Sequence, residues 1–358
     1  MTTVYIMASE PFETSFTGQW YKHIPELIEQ FASYKNKEIS IKNIPGGLTD
    51  EFGSSMCFSM DYSKNNIWKN NQTNYIANEF SLGNIENNSI FLFPDFWHPG
   101  IIQVRQMAAL NDISVKIFAI VHTGAYDIQS SFSKNLNSDW VVNFEKSLAD
   151  ATDILFFATE YHKNLFYNNV MQDLSKLIVS GQPHEAVISV LSEMEQVKEN
   201  LILFPHKMLP EKQPEIFKDL QTSIPEYDFV LTTESKLLKA EYHELLSKAK
   251  LIISCSNQET FGIPTNIEGP ISGCLPLVPN RLSYTEVFNC HSGFLYPSEW
   301  TSSFEKYLKN KHLFVARIRY MVENYHEYIE YLYDYNSKVI PKYATSNVML
   351  RKIFESIP

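Results

Sequence analysis

Cysteine is scarce: 358 residues carry Cys57, Cys255, Cys274 and Cys290, and no Cys-x-x-Cys spacing. That argues against a disulfide framework and reads as free buried thiols in a reducing cytoplasm. The opening MTTVYIMASEPF lacks the basic start and long apolar run of a secretory signal. No apolar run approaches the roughly 20 residues that span a bilayer, so no membrane partner is expected. Positive charge is also short, with 30 Lys and Arg against 41 Asp and Glu and a net charge of -11. A broad electrostatic grip on nucleic acid is disfavoured, which leaves room only for a local basic cleft. There is no Asp-x-Asp run and no His/Cys cluster, so neither a metal nor a separate cofactor is expected.

What is present suffices for a large core: 44% of residues are hydrophobic and 14% aromatic. The length accommodates two domains. Asparagine runs such as Asn65-Asn66 and Asn87-Asn88 hint at an AT-rich genome. Short apolar runs at 4–8, 38–44, 89–94, 115–121, 153–159 and 176–179 read as strands, and so do those at 201–204, 229–233, 250–253, 275–279 and 291–296. Helical spacing connects them. In the first helix, about Gln19 to Tyr34, Trp20, Ile24, Leu27, Ile28 and Phe31 share a face. Others run over 101–110, 144–151, 184–199, 242–249 and from Trp300 onward, including an amphipathic stretch over 320–335. Residues 48–88, rich in Asn and with Phe52, Phe58, Tyr62, Trp68, Tyr75 and Phe80, read as an insertion or acceptor-side loops. Alternating strands and helices predict an α/β chain of two doubly wound, Rossmann-like domains facing a cleft. The expected divisions are 1–183, a linker helix over 184–200, a second domain over 201–336, and a terminal helix over 337–358.

Two strand ends carry the chemistry. After the 250–253 strand comes a polar loop with Glu259, then Phe261-Gly262, Pro264 and a second carboxylate, Glu268. A helix starting after Gly262 aims free N–H groups at the loop, which suits a phosphate. An ionised Glu268 accepts hydrogen bonds only, and so suits a ribose hydroxyl. After the 201–204 strand come Lys207 and Lys212. Taken singly, these are also what surface lysines and ordinary strand–loop–helix glutamates look like. His122, at the end of the 115–121 strand, is either a cleft group or a core histidine bonded to backbone.

Together the residues resemble a family. Glu259-x-Phe261-Gly262, then Glu268, Gly273 and the strand ending at Pro279, is similar to the pattern of retaining glycosyltransferases of family 4 type, which have the GT-B fold. The stretch Pro279-Asn280-Arg281-Leu282-Ser283-Tyr284-Thr285-Glu286 resembles the branch holding the tRNA-queuosine mannosyltransferases. So do His206-Lys207 with Glu211-Lys212 and the opening Glu10-Pro11-Phe12 with Gly18-Gln19-Trp20. Two departures stand out. The family has seven residues between its glutamates and this chain has eight. Lys207 stands where the branch has arginine, keeping the charge without the bidentate fork.

The resemblance implies that the terminal helix over 337–358 returns to the first domain, and that a sugar is transferred from a UDP- or GDP-sugar to a hydroxyl with retention. The implied acceptor is a modified nucleic-acid base, either queuosine in tRNA or a hydroxymethylpyrimidine in phage DNA. It assigns Lys207 and Lys212 to the diphosphate, Glu268 to the ribose, and backbone N–H groups of Phe261, Gly262 and Ile263 to donor oxygens. Glu259 and His122 then lie near the sugar, with Gly18 and Tyr284 in the cleft. Arg281 contacts a phosphate or pairs with Glu286. Rival readings are a glycosyltransferase for small molecules or envelope glycans, and a GT-B domain that has lost catalysis and only binds, which the displaced Glu259 would favour.

Overall fold

Apolar runs without alternation mark strands covered on both faces, as in parallel sheets packed between helices. The computed structural model, which describes residues 1–10, 16–47, 62–136, 138–234 and 237–358, contains two such sheets. The first has strands β1 (Thr2–Ile6), β2 (Ile39–Asn43), β3 (Ser89–Phe93), β4 (Val115–Ile120), β5 (Ile154–Phe157) and β6 (Leu177–Val179). Their order is β2-β1-β3-β4-β5-β6, parallel throughout. The second has β7 (Glu199–Phe204), β8 (Asp228–Leu231), β9 (Ala249–Ile253), β10 (Leu275–Pro279) and β11 (Leu295–Tyr296). Their order is β11-β10-β9-β7-β8, again parallel.

Each sheet separates two cores. In the first, Tyr5, Phe91 and Phe93 point to one layer, and Val4, Ile6, Ile90 and Leu92 to the other. In the second, Ile202 and Phe204 oppose Leu201 and Leu203. The chain reverses direction across each sheet, between β1 and β3 and between β7 and β9. Such switch points open a crevice at the carboxyl ends of the strands.

The chain crosses back late. The helix Tyr325–Tyr343 runs past the expected division at 337 and packs on the second sheet. Gln182 N–H then donates to the Tyr343 carbonyl at 2.9 Å, and Ser346 donates through N–H and hydroxyl to Glu185. The helix Asn347–Glu355 lays Met349, Leu350, Ile353 and Phe354 on the first sheet. Four such side chains, at ~1.5–3 kcal/mol each, bind the ends of the chain together. The linker helix is shorter than its periodicity suggests, Glu185–Ser192. Helicity over 320–335 breaks at Asn324, which separates Phe304–Glu323 from Tyr325–Tyr343.

Part of the expected loop-rich insertion is a 20-residue helix, Tyr62–Ser81. Its Asn-rich sequence carries little amphipathic signal, because the buried face is itself partly polar. Trp68 Nε1 donates to the Ala8 carbonyl at 2.8 Å, and Gln72 Nε2 to those of Ala8 and Ile44 at 3.0 and 2.6 Å. Tertiary hydrogen bonds replace the missing apolar stripe. Phe52, Cys57 and Phe58 lie outside the described residues. Cys255 and Cys274 are buried as expected, whereas Cys290 is exposed. Among the described residues no helix is long and apolar enough to cross a membrane, and no group of three or more His, Cys, Asp or Glu is placed to hold a metal ion.

Candidate active site

The loop leaving β7 lies at the second sheet's switch point. A 3₁₀ turn, Pro210–Lys212, precedes Gln213 in the left-handed conformation and the helix Pro214–Ser223. This turn buries Lys212, while Lys207, five residues earlier, stays exposed. All three Lys212 N–H donors are used: the Gln258 carbonyl at 2.5 Å, Gln258 Oε1 at 3.3 Å and Glu259 Oε2 at 3.0 Å. Burial alone would raise the Glu259 carboxyl. The Lys212 charge outweighs it and holds the group below its usual range.

The loop leaving β9 supplies the other side. Glu259 Oε1 accepts the N–H groups of Thr260 at 3.2 Å and Phe261 at 3.4 Å, so Phe261 N–H is engaged within the loop. Gly262 has φ +74°; an added Cβ would meet Thr265, Glu259 and Tyr284 at 3.1–3.3 Å. The Gly262 carbonyl accepts from Thr265 and Asn266, which leaves the Gly262 and Ile263 N–H groups opening the helix without an intrahelical acceptor. Residues Pro264–Glu268 then form a π turn, with Gly269 N–H reaching the Pro264 carbonyl. A π turn is an α turn widened by one residue. It lies where this chain has one residue more than the pattern, so the extra residue is absorbed between Gly262 and Glu268 and the following helix keeps its direction.

Glu268 is buried and held from one helix, Lys239–Lys248. Lys239 Nζ donates to Oε1 and the Tyr242 hydroxyl to Oε2, both at 2.9 Å. Burial pushes this carboxyl up, but Lys239 and then Tyr242 bring it below its usual value. The two glutamate clusters adjoin. The Phe261 ring stacks on His184 with centroids 6.4 Å apart, and His184 feels the Glu268 charge.

The first domain meets this site through the loop after β4. His122 Nε2 donates to the Pro94 carbonyl at 2.7 Å, and Nδ1 accepts from Gln182 Nε2 at 3.3 Å. Burial lowers its pKa, with Asp95 opposing. A neutral imidazole with both nitrogens engaged fits this pattern. The His122 carbonyl accepts from Thr260 Oγ1 at 3.2 Å. Gln258 Nε2 donates to Asp127 Oδ2 at 2.8 Å, the Ser131 N–H and hydroxyl donate to Glu211, and Thr159 Oγ1 donates to the Thr260 carbonyl at 2.9 Å. The carboxyl edges of the two sheets therefore face one another across these loops.

Two expectations change. Tyr284 is fully buried beneath Gly262, its hydroxyl 2.8 Å from Ser254 Oγ, as a support of the loop. Arg281 neither pairs with Glu286 nor stands free for a phosphate. Its guanidinium ties the carbonyls of Cys255, Ser256, Ser298 and Thr301. Glu286 instead caps the helix Glu160–Asn169 across the domain boundary, accepting the N–H groups of Glu160 and Tyr161 at 3.0 and 2.8 Å. Gly18 belongs to the first turn of the helix Phe16–Lys35, which starts earlier than its apolar spacing predicts. Sequence reasoning missed Gln258, Asp127, Lys239, Tyr242 and His184. Lys239 and Tyr242 have the three-residue spacing of one helix face, but their partner lies 29 and 26 residues away.

No protein-family model and no curated protein matches the chain. Solved structures do. The catalytic domain of starch synthase IV from Arabidopsis thaliana, bound to ADP and acarbose, aligns over 99% of this chain and 98% of its own with TM-score 0.62 at 11% identity. HepE from Anabaena, in complex with UDP and glucose, aligns over 100% and 99% with TM-score 0.58 at 11% identity. A glycosyltransferase from Rickettsia africae aligns over 99% and 97% with TM-score 0.58 at 17% identity. With two parallel α/β domains meeting edge to edge and likeness over the whole chain, the fold is GT-B.

Proposed function

We propose that the chain is a retaining glycosyltransferase that moves a sugar from a nucleotide-diphosphate donor to a hydroxyl. The observation that carries this reading is the buried Lys212–Glu259 pair at the β7/β9 switch point, beside the positive-φ Gly262 that opens the next helical turn. Lys212 and the exposed Lys207 hold the diphosphate, whose oxygens replace an acceptor now occupying Lys212. Glu268 accepts from the ribose. The anomeric carbon loses its bond to the β-phosphate oxygen, which leaves with the electron pair. It gains one to the acceptor oxygen, whose proton goes to the departing phosphate. The lysines stabilise the charge as it grows on that phosphate. Glu259 and His122 shape the sugar pocket, neither serving as nucleophile.

The acceptor this reading favours is a hydroxyl on a modified nucleic-acid base, supported by the residue pattern at 206–215 and 279–288. A net charge of -11 favours a second reading, an envelope glycan or small-molecule acceptor. The lipopolysaccharide outer core galactosyltransferase WaaB shares the fold with TM-score 0.53 at 11% identity. Incubation with UDP- and GDP-sugars, followed by mass spectrometry of nucleosides from tRNA and hydroxymethylated DNA, separates the two. Added hexose or pentose on a nucleoside supports the first, and donor turnover without it supports the second. A melting temperature unmoved by any nucleotide sugar overturns both.

A further inference from the structure

Glu268 is not presented to a ligand as a bare carboxylate. Lys239 and Tyr242 sit three residues apart on one helix face, and each takes one oxygen. The Lys239 ammonium also lies 5.3 Å from the Tyr242 ring centroid, so the two side chains support one another. Helix stability does not explain this lysine. It is the first residue of the helix Lys239–Lys248, where a cation meets the positive end of the macrodipole. Its position serves the carboxylate.

A carboxylate has about four lone-pair directions, two on each oxygen. With one on each oxygen filled from the Lys239–Lys248 helix, one acceptor direction per oxygen remains. The carboxylate cannot rotate without breaking a charged hydrogen bond. Two adjacent acceptors at fixed orientation match two adjacent hydroxyl donors. Resting on the assignment of Glu268 to the donor's ribose, we infer that Lys239 and Tyr242 are positioning residues that lock Glu268 as a paired acceptor for the vicinal 2′,3′-diol. The pair thereby confers selectivity for ribonucleotides over deoxyribonucleotides. Lys239 also keeps the buried carboxylate ionised, and so acceptor-only, with His184 and His243 the other titratable groups facing it.

The test is calorimetric binding of UDP and GDP, each against its 2′,3′-dideoxy counterpart, to the full chain and to Lys239→Met, Lys239→Gln, Tyr242→Phe and Glu268→Gln. A hydrogen bond to a charged group is worth about 10–100-fold in affinity, so the wild type prefers the ribonucleotide by that order. In Lys239→Met the preference falls to about 3-fold or less while the dideoxynucleotide binds nearly as before, and Tyr242→Phe is intermediate. Lys239→Gln, which keeps a neutral donor at the same place and guards against misfolding of the Met variant, recovers part of the preference. A wild type without preference overturns the ribose assignment itself. A preference lost in Glu268→Gln but intact in both Lys239 variants leaves that assignment standing and overturns the positioning role.

Discussion

Replacing Lys212 by methionine keeps most of the buried stem and removes the ammonium. Lys212 and Glu259 lie 3.0 Å apart with side chains 11% and 16% exposed, so the substitution strands a carboxylate away from water. Breaking a buried pair by removing one partner costs ~3–5 kcal/mol, whereas removing both charges is far milder. The double variant Lys212→Met/Glu259→Gln is therefore expected to recover most of the loss, a coupling of ~2–4 kcal/mol. The pH dependence has a definite sign. In the wild type the folded-state pKa of Glu259 is lowered, so the pair's contribution is present above the unfolded carboxylate's pKa and is lost as pH falls. Without Lys212, burial dominates, the folded pKa rises, and stability is lost as pH rises. Urea denaturation of the wild type, both single variants and the double variant at pH 5 and pH 8 measures this, with the Met variant's deficit larger at pH 8. A deficit below about 1 kcal/mol that is equal at both pH values would refute the reasoning. It also follows that loss of transfer in Lys212→Ala speaks to chemistry only where the fold persists.

Three further outcomes are expected. Burial raises Glu145 to about 7 even though it accepts from Trp97 Nε1 and Ala125 N–H, so the stability from its protonated form is full below pH ~4.5 and falls by about 3 kcal/mol as pH rises through 7. Glu145→Gln keeps both acceptor contacts and should remove that fall, so the variant gains melting temperature relative to the wild type as pH rises from 5 to 7; a difference that stays constant with pH rejects the assignment. His98, His162, His184 and His206 are buried and held neutral, at about 3, 3, 4 and 3. Folding therefore weakens as pH drops below 6.5, by ~2 kcal/mol per imidazole at pH 5, and NMR titration should find these rings unprotonated there. Gly262→Ala forces a side chain into φ +74° against three neighbours and should cost ~1–2 kcal/mol, read as a lower melting temperature together with loss of transfer.

The strand-and-helix order and the two-sheet arrangement were legible because the central strands are covered on both faces. Runs such as Ser89–Phe93 and Leu275–Pro279 therefore stay apolar without alternation. The strand ends bearing Lys212 and Glu259 were legible for a related reason, since polar residues directly after an apolar run can only be a loop at a sheet edge. The helix Tyr62–Ser81 was not, because its burial rests on Trp68 and Gln72 reaching main-chain carbonyls of Ala8 and Ile44. Sequence spacing carries no trace of a partner 60 residues away.

Local pattern, then, determined which segments became strands and which loops carried charge, since burial and backbone preference act over a few residues. Tertiary structure alone decided the pairing. It brought Glu259 to Lys212, gave Glu268 to Lys239 and Tyr242, turned Arg281 into a tie for four carbonyls, and set Glu286 on a helix of the other domain. A charged group's role depends on what lies within a few ångströms of it, and that is settled only when distant segments pack.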